Sequence, residues 1–355
     1  MLTGILTALQ QLRSIQEIVE HLEEGTPIPN LALARSARLP VLAALHRTNP
    51  APILLITDRA DRAHTLSDEL ALWMPEATRL VLPEPTPLFY ENTPWGETTR
   101  RDRLVALTAL AAQQIPGSPR EVKESAPIII ASTRAIMTRT LPRREFIKNT
   151  DKLQAGQIVQ PNQLIHQWVQ IGYQATTTVT APGQFARRGG ILDLWPPAEP
   201  HPSRIEFFGD EIETLRYFDP ASQRTIEQHS SLLVSPAREF IGGEDEEIET
   251  PNEFHIPLLH PHAGSVFNYL PPNTLVIFEN SETVKDRISD VEGQAISLKR
   301  SYLEEGMLPE DYPIPYLTLD QIEDSLPRKR VLSLGPATAP DGAPNLLADR
   351  FSPNR

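Results

Sequence analysis

Two segments of this sequence stand where an ATPase would hold its nucleotide, and neither carries the groups that hydrolysis needs. A phosphate-binding loop wants G-x-x-x-x-G-K-[ST]. The glycines let backbone N–H groups curl round phosphate, the lysine neutralises it and the hydroxyl ligates magnesium. Ahead of a helical stretch at 36–47, Ala32 and Ala37 occupy the glycine positions, Arg38 the lysine and Leu39 the hydroxyl. Leucine offers magnesium no ligand. Downstream, LVIFEN (Leu275–Asn280) lies where a Walker B strand would end in Asp-Glu, and it carries Glu279 and Asn280 instead. The residue that would position an attacking water is therefore an uncharged amide. By spacing alone, both segments read as a helix and a strand of an α/β sheet, with no catalytic residue and no cofactor on this chain.

Other chemistries fare no better. Asp193, Glu206, Asp210 and Glu211 can be imagined as a metal-dependent nuclease site. A restriction-type site also wants a lysine two residues after the second acid, and position 208 is Phe. A nucleotide-binding metabolic enzyme would show G-x-G-x-x-G after a strand, and the sequence has none. His46, His64, His166 and His201 are scattered, and His260-x-His262 is a lone pair beside Pro261, so no metal site is expected. Disulfides and thiolate metal centres are excluded because the chain has no cysteine.

The elements that would position these residues follow from length, charge and periodicity. At roughly 150 residues per domain, 355 residues imply two or three domains. The 46 acidic and 33 basic side chains give a net charge of −13, which argues against a broad electrostatic sleeve for DNA but not against a local basic patch. No apolar run approaches the roughly 18 residues that span a bilayer, so no membrane partner is expected. The N-terminus lacks a signal-peptide profile, which points to the cytoplasm. The 35 prolines are dispersed and read as loop punctuation.

Apolar residues from Leu2 to Leu22 recur at helical spacing, so 2–24 reads as one helix, stopped by Gly25 and the Pro27/Pro29 pair. Helices are expected at 36–47, 61–72 and 101–113, with buried strands at Ile53–Thr57 and Pro127–Ala131. This alternation implies a parallel, doubly wound sheet over about 1–141. From about 142 the elements shorten. A helix at Leu164–Ile171, a threonine-rich strand at Ala175–Thr180 and a strand within Gly189–Trp195 precede a hairpin turning on Gly209-Asp210. A small α+β domain over 142–236 follows from these. The acidic stretch Gly242–Thr250 reads as a solvated loop, Thr274–Phe278 as a return to the α/β layer, and Pro336–Arg355 as a frayed end.

The densest segment is GQFARRGGILDLWPP, followed by SRIEFFGDEIETLRYFDPASQRT. It resembles the UvrB-homology module of bacterial transcription-repair coupling factors (Mfd). LPEPTPLFYENTPWGETTRRDRL is similar to that family's Pro/Trp/Glu-rich loop and following helix, and RSARLPVLAAL to its degenerate P-loop. The resemblance covers about 1–300 and is strongest over 183–226. It implies a P-loop-like but degenerate parallel-sheet domain 1a (1–141), an inserted α+β domain 2 (142–236) and a domain 1b (237–355) that closes on 1a and ends in a flexible tail. It further implies a recruitment module that binds UvrA through domain 2. ATP, magnesium, RNA polymerase and DNA would be engaged by further domains of the parent protein, an ATP-dependent translocase, of which this chain looks like the N-terminal portion. A UvrB-like protein that binds nucleotide or DNA itself is the alternative.

Carried over by position, the resemblance assigns UvrA contacts to Arg188, Arg204 and Trp195, with Arg187 adjacent. The chain departs from it at Ala186 and Gln174, where UvrB-like sequences tend to have arginine. Each assignment has a structural competitor. With a Gly209-Asp210 loop, Glu206 would face Glu213, and Arg204 on the same face would neutralise that pair. Arg188 before two glycines has a solvated side chain as its competing reading, and Trp195 before Pro196-Pro197 is equally a core plug. Arg134, Arg139, Arg143, Arg144, Lys148 and Lys152 make 134–152 locally basic, which reads as a solvated interdomain face rather than a DNA contact.

Overall fold

The computed structural model describes residues 2–28, 31–116, 126–242, 248, 250–327 and 330–335. Most of the acidic stretch at 242–250 and the whole of 336–355 lie outside them. The chain begins with α1 (Leu2–Gln10), α2 (Arg13–Glu24) and α3 (Arg35–Thr48). The single helix expected over 2–24 is thus two. Leu12 takes an extended conformation, φ −66° and ψ 129°, at the start of α2. The apolar spacing runs through this break because both helices bury the same kind of face, including Leu6, Ile15, Ile18 and Leu22.

β1 (Ile53–Thr57), α4 (Ala60–Trp73), β2 (Arg79–Leu82), α5 (Glu97–Ala112), β3 (Ile128–Ser132), α6 (Thr133–Met137) and α7 (Arg143–Lys148) complete the first passage. After an excursion through 151–234, the chain returns with α9 (Ile256–Leu259), α10 (Val266–Tyr269), β12 (Leu275–Phe278), α11 (Ser281–Glu304), α12 (Leu319–Ser325) and β13 (Val331–Ser333). Five of these strands form one all-parallel sheet in the order β13-β12-β1-β3-β2. Alternate residues bury on opposite faces, as the strand period of two demands. Leu54, Ile56, Ile129, Ala131 and Val276 meet α5, α6, α10 and α11, whereas Ile53, Leu55, Ile128, Ile130 and Ile277 meet α1–α4. Burial on both faces explains why these strands read as unbroken apolar runs. The fold is α/β, with the parallel sheet expected from sequence.

The excursion builds the second unit. It contains β4 (Asp151–Gln154), α8 (Pro161–Gln170), β5 (Gln174–Ala175), β6 (Gln184–Arg188), β7 (Ile191–Leu194), β8 (Ser203–Phe208), β9 (Glu211–Phe218), β10 (Thr225–Gln228) and β11 (Ser231–Val234). Six strands lie in the order β10-β9-β8-β7-β6-β5, antiparallel except for the β5–β6 pair, and β11 pairs with β4 in a separate ribbon. Leu164 and Trp168 of α8 pack onto one sheet face against Phe185, Leu192, Leu194, Ile205 and Leu215. The expected strand at 175–180 shrinks to its first residue. Beyond it the Thr180 and Ala181 N–H groups donate to the Gln184 side chain at 2.9 and 3.1 Å, which holds the segment as a loop.

A buried ion pair ties α5 to the segment that follows β11. Arg103 on α5 donates from Nε and Nη2 to Glu239 at 2.7 and 3.0 Å, and each side chain is 1% exposed. Arg103 also donates to the Pro83 carbonyl at 3.1 Å and lies over the Trp95 ring, 4.8 Å from its centroid. A pair this deep repays its desolvation only through such complete hydrogen bonding.

Candidate interaction surface and a remnant nucleotide site

The β6–β7 hairpin turns on Gly189 and Gly190, and Gly189 has φ +62°, a conformation that glycine adopts without strain. Arg187 and Arg188 end β6 just before this turn, and both are exposed. Neighbours on a strand point to opposite faces. Arg188 reaches the 177–178 loop, donating to the Thr177 carbonyl at 3.1 Å and the Thr178 hydroxyl at 3.0 Å. Arg187 goes the other way, to the Asn162 side chain on α8 and the Gly189 carbonyl.

Arg204 behaves differently. On β8 it faces Asp193 on β7 and donates to both of its carboxylate oxygens, Nε at 2.7 Å and Nη2 at 2.8 Å. Its guanidinium also sits over the Phe218 ring, 4.6 Å from the centroid. Asp193 is 1% exposed. The Asp193 hydrogen bonds raise the Arg204 pKa above its ordinary value, against the opposing pull of burial. Arg204 is thus the counter-ion of a buried carboxylate.

The expected Glu206–Glu213 opposition does not occur. Phe207 faces Ile212 as expected, but a bulge next to it sets Glu206 against Thr214. Glu206 accepts from the Thr214 hydroxyl at 2.9 Å and from Arg216, so Arg204 has no such pair to neutralise. Arg216 stands opposite Arg204 across the strands, and each of these like charges has its own carboxylate. Two of the four acids imagined as a nuclease site, Asp193 and Glu206, are therefore held in ion pairs. Trp195 is half-buried beside Val179, Ala186 and Phe218, and its indole N–H donates to the Glu199 carbonyl at 3.1 Å.

The remnant nucleotide site lies at the C-terminal ends of β1 and β12. Helix α3 begins at Arg35, so Ala37, Arg38 and Leu39 lie within the helix rather than in a loop that could curl round phosphate. Ala32 precedes it, between Leu31 and Leu33, whose N–H groups donate to the Ser333 and Leu334 carbonyls at 2.8 and 3.3 Å. Leu39 is buried in the apolar layer. Arg38 points to Glu279, 3.8 Å away, and burial lowers its pKa, which Glu279 partly offsets.

Glu279 also accepts from Arg62 at 2.6 and 3.0 Å and from the Thr57 hydroxyl at 2.8 Å. A carboxylate of the chain thus holds the arginines that a phosphate would attract. Asn280 caps α11, accepting from the Glu282 and Thr283 N–H groups at 3.1 and 3.5 Å. A Cβ on Gly335 would stand 2.8 Å from the Asn280 Cα, so the chain closes tightly over this end of the sheet. Arg62 and Thr57 were absent from the sequence reading, because only the parallel pairing of β1 with β12 brings them to Glu279.

With this geometry in view, residues 152–240 match the family model of the UvrB interaction domain. The match covers the second unit from within β4 through Glu239 of the buried pair. Over 88% of its length the chain is 27% identical to the transcription-repair-coupling factor of Bacillus subtilis (strain 168), of which it covers 29%. It is 30% identical to that of Myxococcus xanthus over 64% of this chain and 19% of the relative. UvrABC system protein B of Kosmotoga olearia is 33% identical over 33% of this chain and 18% of its own length. The chain therefore spans less than a third of the length of these relatives. Among the described residues, no helix is long and apolar enough to cross a membrane.

Proposed function

We propose that this chain is a recruitment module of transcription-coupled repair that binds UvrA through its UvrB interaction domain. Similarity to transcription-repair-coupling factors and to UvrABC system protein B supports a place in nucleotide excision repair. The observation that carries the reading is the β6–β7 turn, where Arg187 and Arg188 leave opposite faces of one exposed strand end. A partner that grips this turn meets both guanidiniums, which form charge-assisted hydrogen bonds to carboxylates or carbonyls.

Arg204 serves this surface by holding β7 to β8 rather than by touching UvrA, and Trp195 by fixing the loop that follows β7. RNA polymerase, ATP and magnesium would be engaged by the regions of the relatives that this chain does not cover. This chain does not turn over ATP, because Glu279 holds Arg38 and Arg62 and Leu39 offers no metal ligand. A titration of UvrA against the chain and its Arg188→Ala variant, with thermal midpoints in parallel, tests the proposal. A loss of about 1–3 kcal/mol of binding at an unchanged midpoint supports it. Unchanged affinity at an unchanged midpoint makes Arg188 a solvated side chain.

A further inference from the structure

In a chain of net charge −13, one groove is lined without a single carboxylate. The basic stretch at 134–152 divides in the fold. Arg134 turns back onto the carbonyls of Pro85 and Pro87, and Lys148 lies 4.0 Å from Glu145. Arg139, Arg143 and Arg144 instead line a groove of about 530 Å³, together with Asn268 and Gln321. Its floor is the bridge between Thr140 and Gly264, with reciprocal N–H···O bonds of 2.9 and 2.8 Å. A Cβ at Gly264 would stand 3.1 Å from the Leu141 carbonyl oxygen, so glycine permits the two segments to close.

The groove presents donors. Arg139 donates to the Ile314 carbonyl at 2.9 Å, the Gln321 side-chain oxygen at 3.3 Å and the Ala263 carbonyl at 3.4 Å. All three partners are neutral. Burial lowers the Arg139 pKa, and no carboxylate offsets it. Among the described residues, neither Arg143 nor Arg144 forms an ion pair, and Arg143 donates only to the neutral Gln114 side-chain oxygen. The Asn268 side-chain oxygen is taken by the Ser265 N–H at 2.8 Å, and that of Gln321 also by the Thr318 N–H at 3.2 Å. Each amide therefore has its NH₂ group left to offer. The missing component is an anion.

We propose that this groove binds phosphate groups of a polynucleotide backbone. Protein partners anchor through aromatic or aliphatic side chains in pockets. The apolar lining here is only Pro142, Pro261 and Ala263, which forms no such pocket. A phosphodiester chain needs none, because charge and counter-ion release suffice. Three guanidiniums on three phosphates give a salt slope of about −2.7, so raising salt from about 50 to about 200 mM should weaken binding roughly 40-fold.

Fluorescence anisotropy of a short labelled duplex titrated with the full chain reads this slope. Replacing Arg143 and Arg144, whose side chains are exposed, by Gln should leave about one contact and reduce the loss to three- to fourfold, at an unchanged thermal midpoint. The Arg187→Gln/Arg188→Gln variant, on the other unit, should keep the parental slope, which separates this site from the UvrA reading. Absence of saturable binding at low salt, or an unchanged slope in the Arg143→Gln/Arg144→Gln variant, overturns the proposal. Tighter binding of a poly-glutamate peptide would make the groove a site for an acidic protein segment. Complete displacement of the duplex by inorganic phosphate at matched phosphate concentration would make it a site for the free ion, and either result contradicts a backbone site.

Discussion

Replacing Arg204 by alanine should damage the fold of the antiparallel-sheet unit before it damages any interface. Asp193 is 1% exposed, and both of its carboxylate oxygens are held by Arg204. Removing the guanidinium strands a buried negative charge, which costs about 3–5 kcal/mol. The cation–π contact with Phe218 goes as well. Against a typical domain stability of about 5–15 kcal/mol, this is about a fifth or more of the total. With urea m-values of about 1–3 kcal/mol per molar, the midpoint should fall by more than about 1 M. Hydrogen exchange of the β7 and β8 amides should localise the loss.

A second variant separates charge from shape. Replacing Asp193 and Arg204 together by Leu and Met removes both charges, and it should recover most of the stability lost in Arg204→Ala. If Arg204→Ala leaves the urea midpoint unchanged while UvrA affinity drops, the reasoning fails, and Arg204 is an interface arginine as the family resemblance implies.

Arg103→Ala should lose about 3–5 kcal/mol in urea unfolding, because Glu239 is left buried with no counter-ion. Burial raises the Glu253 pKa, and hydrogen bonding from Trp95 and the charge of Arg100 only partly oppose it. Such a carboxyl binds protons more readily folded than unfolded, so its contribution to stability falls as pH rises past the ordinary carboxylate value towards the folded one. Glu253→Gln should therefore match or exceed the parent's thermal midpoint at neutral pH, with the difference vanishing below about pH 4. Excess Mg-ATP should leave the parent's midpoint unmoved, since a bound ligand would raise it. A reproducible rise would show that the remnant site still takes nucleotide.

The parallel sheet was legible because ILLIT, IIIAS and LVIF are buried on both faces and leave no polar alternation to misread. The Gly209-Asp210 hairpin was legible from its turn. Its register was not, because the bulge beside Phe207 moves Glu206 from Glu213 to Thr214 without any mark in local composition. Arg204 shows the same limit in a functional residue. Its partner, Asp193, lies in ILDL, where one acid among apolar neighbours signals a need for a counter-charge, but only strand pairing names Arg204 as the donor. The break at Leu12 was invisible because the apolar spacing continues across it. The edge strand β10 carries little apolar pattern, since it is fully exposed.

Hydrogen-exchange mapping of the chain with and without UvrA tests most directly the proposal that UvrA grips the β6–β7 turn. The expected result is new protection over 184–194 and in the adjoining 176–180 loop, with exchange around Glu279 and in the Arg139 groove unchanged. Protection confined to the parallel-sheet unit, with the β6–β7 turn exchanging as freely as before, would contradict it.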